Sequence, residues 1–297
     1  MYHKPVLLEE SVEGLNVSPA GTYVDTTFGG GGHSRRILEE IGEGRLFAFD
    51  QDPDALENIP KDDRFKLIQG NFRYLKSFLR LEGVKEIDGL LADLGVSSHQ
   101  FDLPDKGFSI RFDGKLDMRM NPATEITAAN IVNQYEDKDL ERVLFLYGEL
   151  RNARRIAMAI CSSREAEKIK TTGQLVKVLS AMAPRGKENQ FYAKVFQALR
   201  IEVNEELESL KEMLQQAADL IVSGGRLVVI SYHSLEDRLV KNFIRTDNFE
   251  GKLEKDFYGN PQVRFRQVNR KPLVPGEKEI EENNRARSAH LRIAEKI

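Results

Sequence analysis

Residues 23–34 read Tyr-Val-Asp-Thr-Thr-Phe-Gly-Gly-Gly-Gly-His-Ser. A β-prone run, Thr22 to Phe28, enters the glycines, and a helical pattern, Ser34 to Ile41, leaves them. Consecutive glycines remove every Cβ from a strand-to-helix turn, so the backbone can take φ > 0 and approach a ligand closely. The helix that follows aims its unpaired N–H groups at whatever fills the turn. A glycine run alone also describes a flexible loop. Its place between a strand and a helix favours a nucleotide-type ligand.

The turn lacks the residues of two common nucleotide sites. A P-loop needs Gly-Lys-Ser/Thr after its glycines, and His33-Ser34 stands there instead. The dinucleotide pattern G-x-G-x-x-G fails as well: started at Gly29 it meets Ser34, and started at Gly30 it meets Arg35. The next strand, Arg45-Leu-Phe-Ala-Phe-Asp50, ends in a carboxylate where this topology grips a ribose diol. A ribose grip without phosphate chemistry suggests adenosine carrying a small zwitterion, which S-adenosylmethionine fits. Asp25 and Asp50 then end adjacent strands at one crevice. The plainer alternative is that Asp50 only caps a helix beginning at Pro53.

Strand and helix patterns alternate through the first hundred residues. Strands fall near 22–28, 45–50, 65–70 and 87–94, with helices near 34–41, 53–59 and 73–81. That rhythm predicts a parallel sheet with crossover helices, and the apolar run Ile87–Leu94 predicts a central strand. The next clear strand, Gly225–Tyr232, comes too late for one crossover, so the interval holds extra structure. Leu175, Val178, Leu179 and Met182 form one helical stripe there, and Phe196, Leu199, Val203, Leu207, Leu210 and Leu214 form another. We expect a helical domain at 105–205 inserted into a core domain of 1–104 and 206–297, with one long helix returning to the sheet. A helix near 235–245 capped by Ser234, an irregular basic stretch and a last strand near 288–294 complete the expectation.

The chain has 297 residues, net charge −3, 40% hydrophobic and 31% charged residues, as expected of a globular protein. Its apolar runs are too short to span a bilayer, so no membrane role is expected. Met1 leads straight into His3-Lys4-Pro5-Val6 with no apolar signal segment, which predicts a cytoplasmic protein. A single cysteine, Cys161, set in a helical pattern, is expected in the core; with five scattered histidines it gives no zinc spacing, so no metal is expected. The net charge carries no nucleic-acid signature, but local charge does. Arg264, Arg266, Arg270, Lys271, Lys278, Arg285, Arg287 and Arg292 crowd the C-terminal stretch, and Arg151, Arg154 and Arg155 share a predicted helix. Such stretches are usually solvated faces; beside the crevice they become phosphate-binding candidates.

Longer motifs carry a specific resemblance. They are His3-Lys-Pro-Val-Leu-Leu8, the Asp25–Ser34 turn, Asp93-Leu-Gly-Val-Ser-Ser-His-Gln100-Phe-Asp and Lys106-Gly-Phe-Ser. Asp113-Gly-Lys-Leu-Asp-Met-Arg-Met120, Phe196-Gln-Ala-Leu-Arg-Ile201, Ile230-Ser-Tyr-His-Ser-Leu-Glu-Asp-Arg238 and Arg285-Ala-Arg-Ser-Ala-His-Leu-Arg292 follow in order. Together they resemble, nearly end to end, the bacterial small-subunit ribosomal RNA methyltransferase H family. The resemblance implies an α/β class I S-adenosylmethionine-dependent methyltransferase fold, a Rossmann-like sheet with an inserted helical domain. It implies methyl transfer to the exocyclic N4 of a cytidine in the decoding region of 16S rRNA, in the small ribosomal subunit. Carried over by motif, the cofactor contacts fall on Gly31, Gly32, His33, Asp50, Phe72, Asp93 and Gln100.

Each has a role and a duller alternative. Gly31 and Gly32 would let backbone amides meet the methionine carboxylate, with His33 beside it; the alternatives are turn geometry and a helix cap. Phe72 would stack on adenine or simply join the core. Gln100 would bond the cofactor or only its own loop. Asp93, the first acid at the end of the fourth strand, is also the candidate to hold and activate the amine, ahead of Ser97 and Ser98. Departures fall elsewhere: Gln190-Phe-Tyr-Ala-Lys194 replaces the family's His-Pro-Ala-Thr-Arg, Lys106 replaces Arg, and Leu150 replaces Glu. They bear on RNA contact, because Lys lacks Arg's bidentate grip. Rival readings are an amino-methyltransferase acting on DNA or another RNA, and a non-catalytic ribosome-assembly factor. The sequence leaves the oligomeric state open, a homodimer included.

Overall fold

The computed structural model describes residues 5–297, so His3 and Lys4 of the first motif lie outside the described residues. The chain divides into two compact units, one of residues 1–95 and 207–297 and one of residues 96–206.

The first unit opens with α1 (Leu8–Leu15), β1 (Thr22–Asp25), α2 (Gly32–Glu40), β2 (Arg45–Asp50), β3 (Phe65–Gln69), α3 (Leu75–Leu81) and β4 (Ile87–Asp93). Sequence periodicity gave no sign of α1, and the helix expected at 53–59 is a 3-10 turn, Pro53–Asn58. The apolar strands are buried as parallel strands require: Val24, Leu46, Ala48, Phe49, Leu90 and Leu91 are fully enclosed.

The second unit carries α4 (Ser98–Asp102), α5 (Ala128–Gln134), α6 (Asp137–Leu146), α7 (Ala153–Ala166), α8 (Thr172–Ser180) and α9 (Glu188–Asn204) around a core of its own. In α7 the residues Ala153, Ile156, Ala157 and Ile160 are buried, and Cys161 is half-buried at the edge of that core. Arg154 and Arg155 stand exposed on the opposite face.

The chain then re-enters the first unit through α10 (Glu206–Leu220), followed by β5 (Ile221–Ser231), α11 (Ser234–Thr246), β6 (Phe265–Gln267), α12 (Glu277–Glu282) and β7 (His290–Lys296). The long helix expected across 196–214 is two helices. Glu205 adopts φ 48 and ends α9, so the single apolar stripe serves two cores: Phe196, Leu199 and Val203 in one unit, Leu210 and Leu214 in the other. The cap of α11 is His233, whose side chain accepts from the Glu236 N–H, rather than Ser234.

The seven strands lie in the order β3-β2-β1-β4-β5-β7-β6, parallel except for β7. This is the sheet of a class I methyltransferase. The strand order reverses between β1 and β4, whose register pairs Tyr23 with Gly89 and Asp25 with Leu91. In open α/β sheets ligands bind outside the carboxyl ends of the strands at such a reversal. No helix among the described residues is long and apolar enough to cross a membrane.

Candidate functional site

Four strands of the first unit deliver polar side chains to their carboxyl ends. Asp25 ends β1, Asp50 ends β2, Asp93 ends β4, and Tyr232 follows β5. Asp25 is fully buried and accepts from Ser34 Oγ at 2.6 Å and from Thr27 N–H at 3.0 Å. Burial nevertheless raises its pKa. Its bond to Ser34 ties β1 to the first turn of α2.

The glycine turn hangs from Asp50. Asp50 Oδ2 accepts from Gly29 N–H at 2.7 Å, and Oδ1 accepts from Asp52 N–H at 2.8 Å. Asn58 donates to the Gly29 carbonyl at 3.0 Å, and Arg35 donates to the Gly30 carbonyl. Gly29 has φ +50, and a Cβ there would meet open space. Gly31 has φ +73 and caps α2. At Gly32 a Cβ would lie 2.0 Å from Pro5 Cγ, so glycine is needed for close packing. The plain cap reading of Asp50 is not realised: Asp52 caps the 3-10 turn at Pro53.

Among the described residues Asp93 meets three partners. Its backbone N–H donates to Thr27 Oγ1 at 2.6 Å, Tyr232 donates its hydroxyl to Oδ1 at 2.7 Å, and His33 Nδ1 lies 3.9 Å from Oδ2. His33 is buried, with Nε2 3.1 Å from the Val6 carbonyl. A carbonyl only accepts, so Nε2 carries the proton and Nδ1 turns a lone pair towards Asp93. Burial lowers the His33 pKa. The imidazole is therefore a neutral neighbour of Asp93 at pH 7 rather than its counter-ion. Burial pushes both Asp50 and Asp93 up to about 6, with Asp25 adding repulsion to each. Among the described residues the edge thus gathers three carboxylates with no charged cation against them, a field made for a ligand with positive charge or N–H and O–H donors.

The other two sequence candidates make no hydrogen bond or ion pair to these carboxylates among the interactions described. Phe72 follows β3 in the 3-10 turn Phe72–Tyr74 and is half-buried against the sheet core. Gln100 lies in α4 of the helical unit, where it completes a capping box: its N–H donates to Ser97 Oγ and its Oε1 accepts from Ser97 N–H, each at 3.2 Å. Sequence reading passed over Thr27, Ser34 and Tyr232. All three sit inside quoted motifs, yet hydrogen bonds between distant segments leave no local pattern.

The basic stretch is divided by the sheet. Arg266 pairs in register with Glu295, which pairs with Arg226 in the middle of β5, level with Gly89 of β4, so Arg264 and Arg266 lie towards the amino side of the sheet, away from the carboxylates. Arg264 is held by Asp247 at 2.8 Å and Asp219 at 3.1 Å and lies over the Phe243 ring, and Arg266 bonds Glu295. Arg292 is buried in a two-bond pair with Asp237. Arg287, exposed in the turn before β7, belongs to the carboxyl edge, where His290 pairs with Ser231.

The MraW methylase family profile matches residues 1–297. The chain is 58% identical over 299 aligned residues to ribosomal RNA small subunit methyltransferase H of Cytophaga hutchinsonii, covering the whole of both. It is 57% identical to the protein of the same name from Bacteroides thetaiotaomicron, covering 99% of this chain and 97% of the relative. Among solved structures it is similar to an rRNA methylase from Streptococcus thermophilus at 12% identity and a TM-score of 0.44, covering 97% of this chain and 95% of that one. With a family match from end to end and full-length relatives more than half identical, the chain belongs to the MraW methylase family.

Proposed function

We propose that this protein transfers a methyl group from S-adenosylmethionine to the exocyclic N4 of a cytidine in the decoding region of 16S rRNA, in the small ribosomal subunit. The observation that carries the reading is the convergence of Asp25, Asp50 and Asp93 on a glycine turn at the sheet's reversal point. The names of the relatives support small-subunit rRNA as the substrate.

The donor set fits the cofactor. Each Asp50 oxygen holds one backbone N–H and keeps a second lone-pair direction for a ribose hydroxyl. Gly31 and Gly32 let the backbone approach the methionine carboxylate at the start of α2, where the helix dipole favours an anion. The carboxylates offset the sulfonium and the ammonium, and Phe72 offers its ring to adenine. S-adenosylmethionine supplies a methyl group activated by its bond to positive sulfur.

The chain's residues do the rest. A cytosine amine is a poor nucleophile because its lone pair is delocalised into the ring. Asp93 Oδ2 and His33 Nδ1, two acceptors 3.9 Å apart, hold a donor N–H in a fixed place. Alignment alone removes much of a barrier, and Asp93 takes up the proton that N4 must lose. The base leaves its stack to reach them. Transfer of tritiated methyl to purified small subunits, free rRNA and DNA tests the reading. Label on N4 of a 16S cytidine is the expected result; label only on DNA or another RNA, or none, would replace it with a rival activity or an assembly role.

A further inference from the structure

We propose that Tyr232 is a positioning residue for this methyl transfer, its hydroxyl fixing the orientation of the Asp93 carboxylate towards the reacting amine. The inference rests on the function proposed above. Tyr232 donates to Asp93 Oδ1 at 2.7 Å, which leaves Oδ2 as the oxygen available to substrate. The phenol is itself held in place. Its backbone N–H donates at 2.9 Å to Oε2 of Glu236, a buried residue in the first turn of α11. Its ring passes Gly95, where a Cβ would lie 3.6 Å away and φ is +98. Thr27 anchors the backbone of Asp93 from the other side at 2.6 Å. Both ends of the Tyr232–Asp93 bond are therefore fixed by separate elements, and the carboxylate has little freedom to turn.

The same bond supports the charge. Among the described residues, the ionisable groups that act on Asp93 are Asp25 from β1, His33 from α2, Glu236 from α11 and Tyr232 itself. Burial and the two acids push the carboxyl towards its neutral form; a protonated His33 opposes them, but burial lowers that ring's pKa and leaves it neutral at pH 7. The Tyr232 hydroxyl is the donor that favours the carboxylate. Burial and the neighbouring Asp93 raise the phenol's own pKa, so it remains a donor throughout the working range. During transfer the N4–carbon bond forms as the methyl–sulfur bond breaks, the bonding pair leaving with sulfur. One N4 proton then passes to Asp93 Oδ2 and on to solvent.

Tyr232→Phe removes one oxygen and keeps the ring. At pH 7, with cofactor and RNA saturating, its single-turnover rate is expected to fall about 10- to 100-fold. Cofactor Kd should stay within about twofold, since the hydroxyl serves Asp93 and not the ligand. The acid limb of its pH–rate profile should move up by about one to two units, the worth of a hydrogen bond to a charged group. An unchanged rate and limb, or a lower melting temperature and weaker cofactor binding with a normal rate, would overturn the proposal. Carbon-13 titration of the Asp93 carboxyl in the free protein keeps the two readings separable. Should the wild type methylate no cytidine, the function fails, and the Asp93 pKa in Tyr232→Phe still decides this inference: a rise supports it and no change overturns it.

Discussion

Asp50 at the end of β2 accepts a 2.7 Å hydrogen bond from the backbone of Gly29, so the carboxylate proposed to grip the ribose also shapes the glycine turn. Asp50→Ala should weaken S-adenosylmethionine binding by about 10- to 100-fold, because a charge-assisted hydrogen bond contributes about 1.5–3 kcal/mol and about 1.4 kcal/mol is tenfold. Calorimetry on a folded variant checks this. Unchanged affinity would remove Asp50 from the ribose.

The carboxylates weaken the empty protein. Asp93 has a folded pKa near 6, above the unfolded value of 3.8, so its contribution to stability is full below about pH 4 and is lost as pH rises through about 6. Asp93→Asn keeps an acceptor for Tyr232 and removes that loss. It should stabilise the ligand-free protein at pH 7.5 by on the order of 1 kcal/mol and leave it unchanged at pH 4. Thermal unfolding of both proteins across this range gives the difference directly, and equal curves at both pH values would contradict it.

Gly32 has no room for a side chain. A Cβ 2.0 Å from the Pro5 ring forces the N-terminal segment outward and strains the His33–Val6 contact. Gly32→Ala should cost about 1–3 kcal/mol, as overpacking does, visible as a lower melting temperature. A stable variant with intact cofactor binding would show that Pro5 yields freely.

The arginines divide into structural and exposed groups. Arg264→Ala should lower stability while leaving RNA affinity and its salt slope unchanged, since its guanidinium is held by Asp247 and Asp219. Reversing exposed Arg154 and Arg155 to Glu, or Arg287 to Glu, should weaken RNA binding and flatten its salt dependence without altering cofactor affinity. Binding isotherms at several salt concentrations distinguish the groups. A salt slope that responds to Arg264 and not to the exposed residues would reverse the assignment.

How far the sequence revealed these features depended on their range. The strands β1 to β4 and the glycine turn were legible because period, apolarity and turn chemistry are local. The edge strand β6 was not, since Phe265–Gln267 is too short to show a pattern. The break at Glu205 was hidden because the apolar stripe runs on through it and strong helix formers, Glu206 and Leu207, follow at once; its φ of 48 ends the helix. Asp50 and Asp93 could be picked out as acids ending strands. Their pKa values near 6 could not, because these arise from burial and from Asp25 nearby. Tyr232 and Asp93 stand 139 residues apart, and their bond exists only once β4 and β5 pair.

On the proposed function, Asp93 serves the chemistry and not only the binding of a ligand. Single-turnover methylation of small subunits by Asp93→Asn, at saturating S-adenosylmethionine, tests it most directly. The amide keeps the shape and loses the charge and the basic site. The rate should fall by about 10²–10⁴, the usual worth of an acid–base or orienting group. A rate near that of the wild type would contradict the claim and leave Asp93 a binding residue.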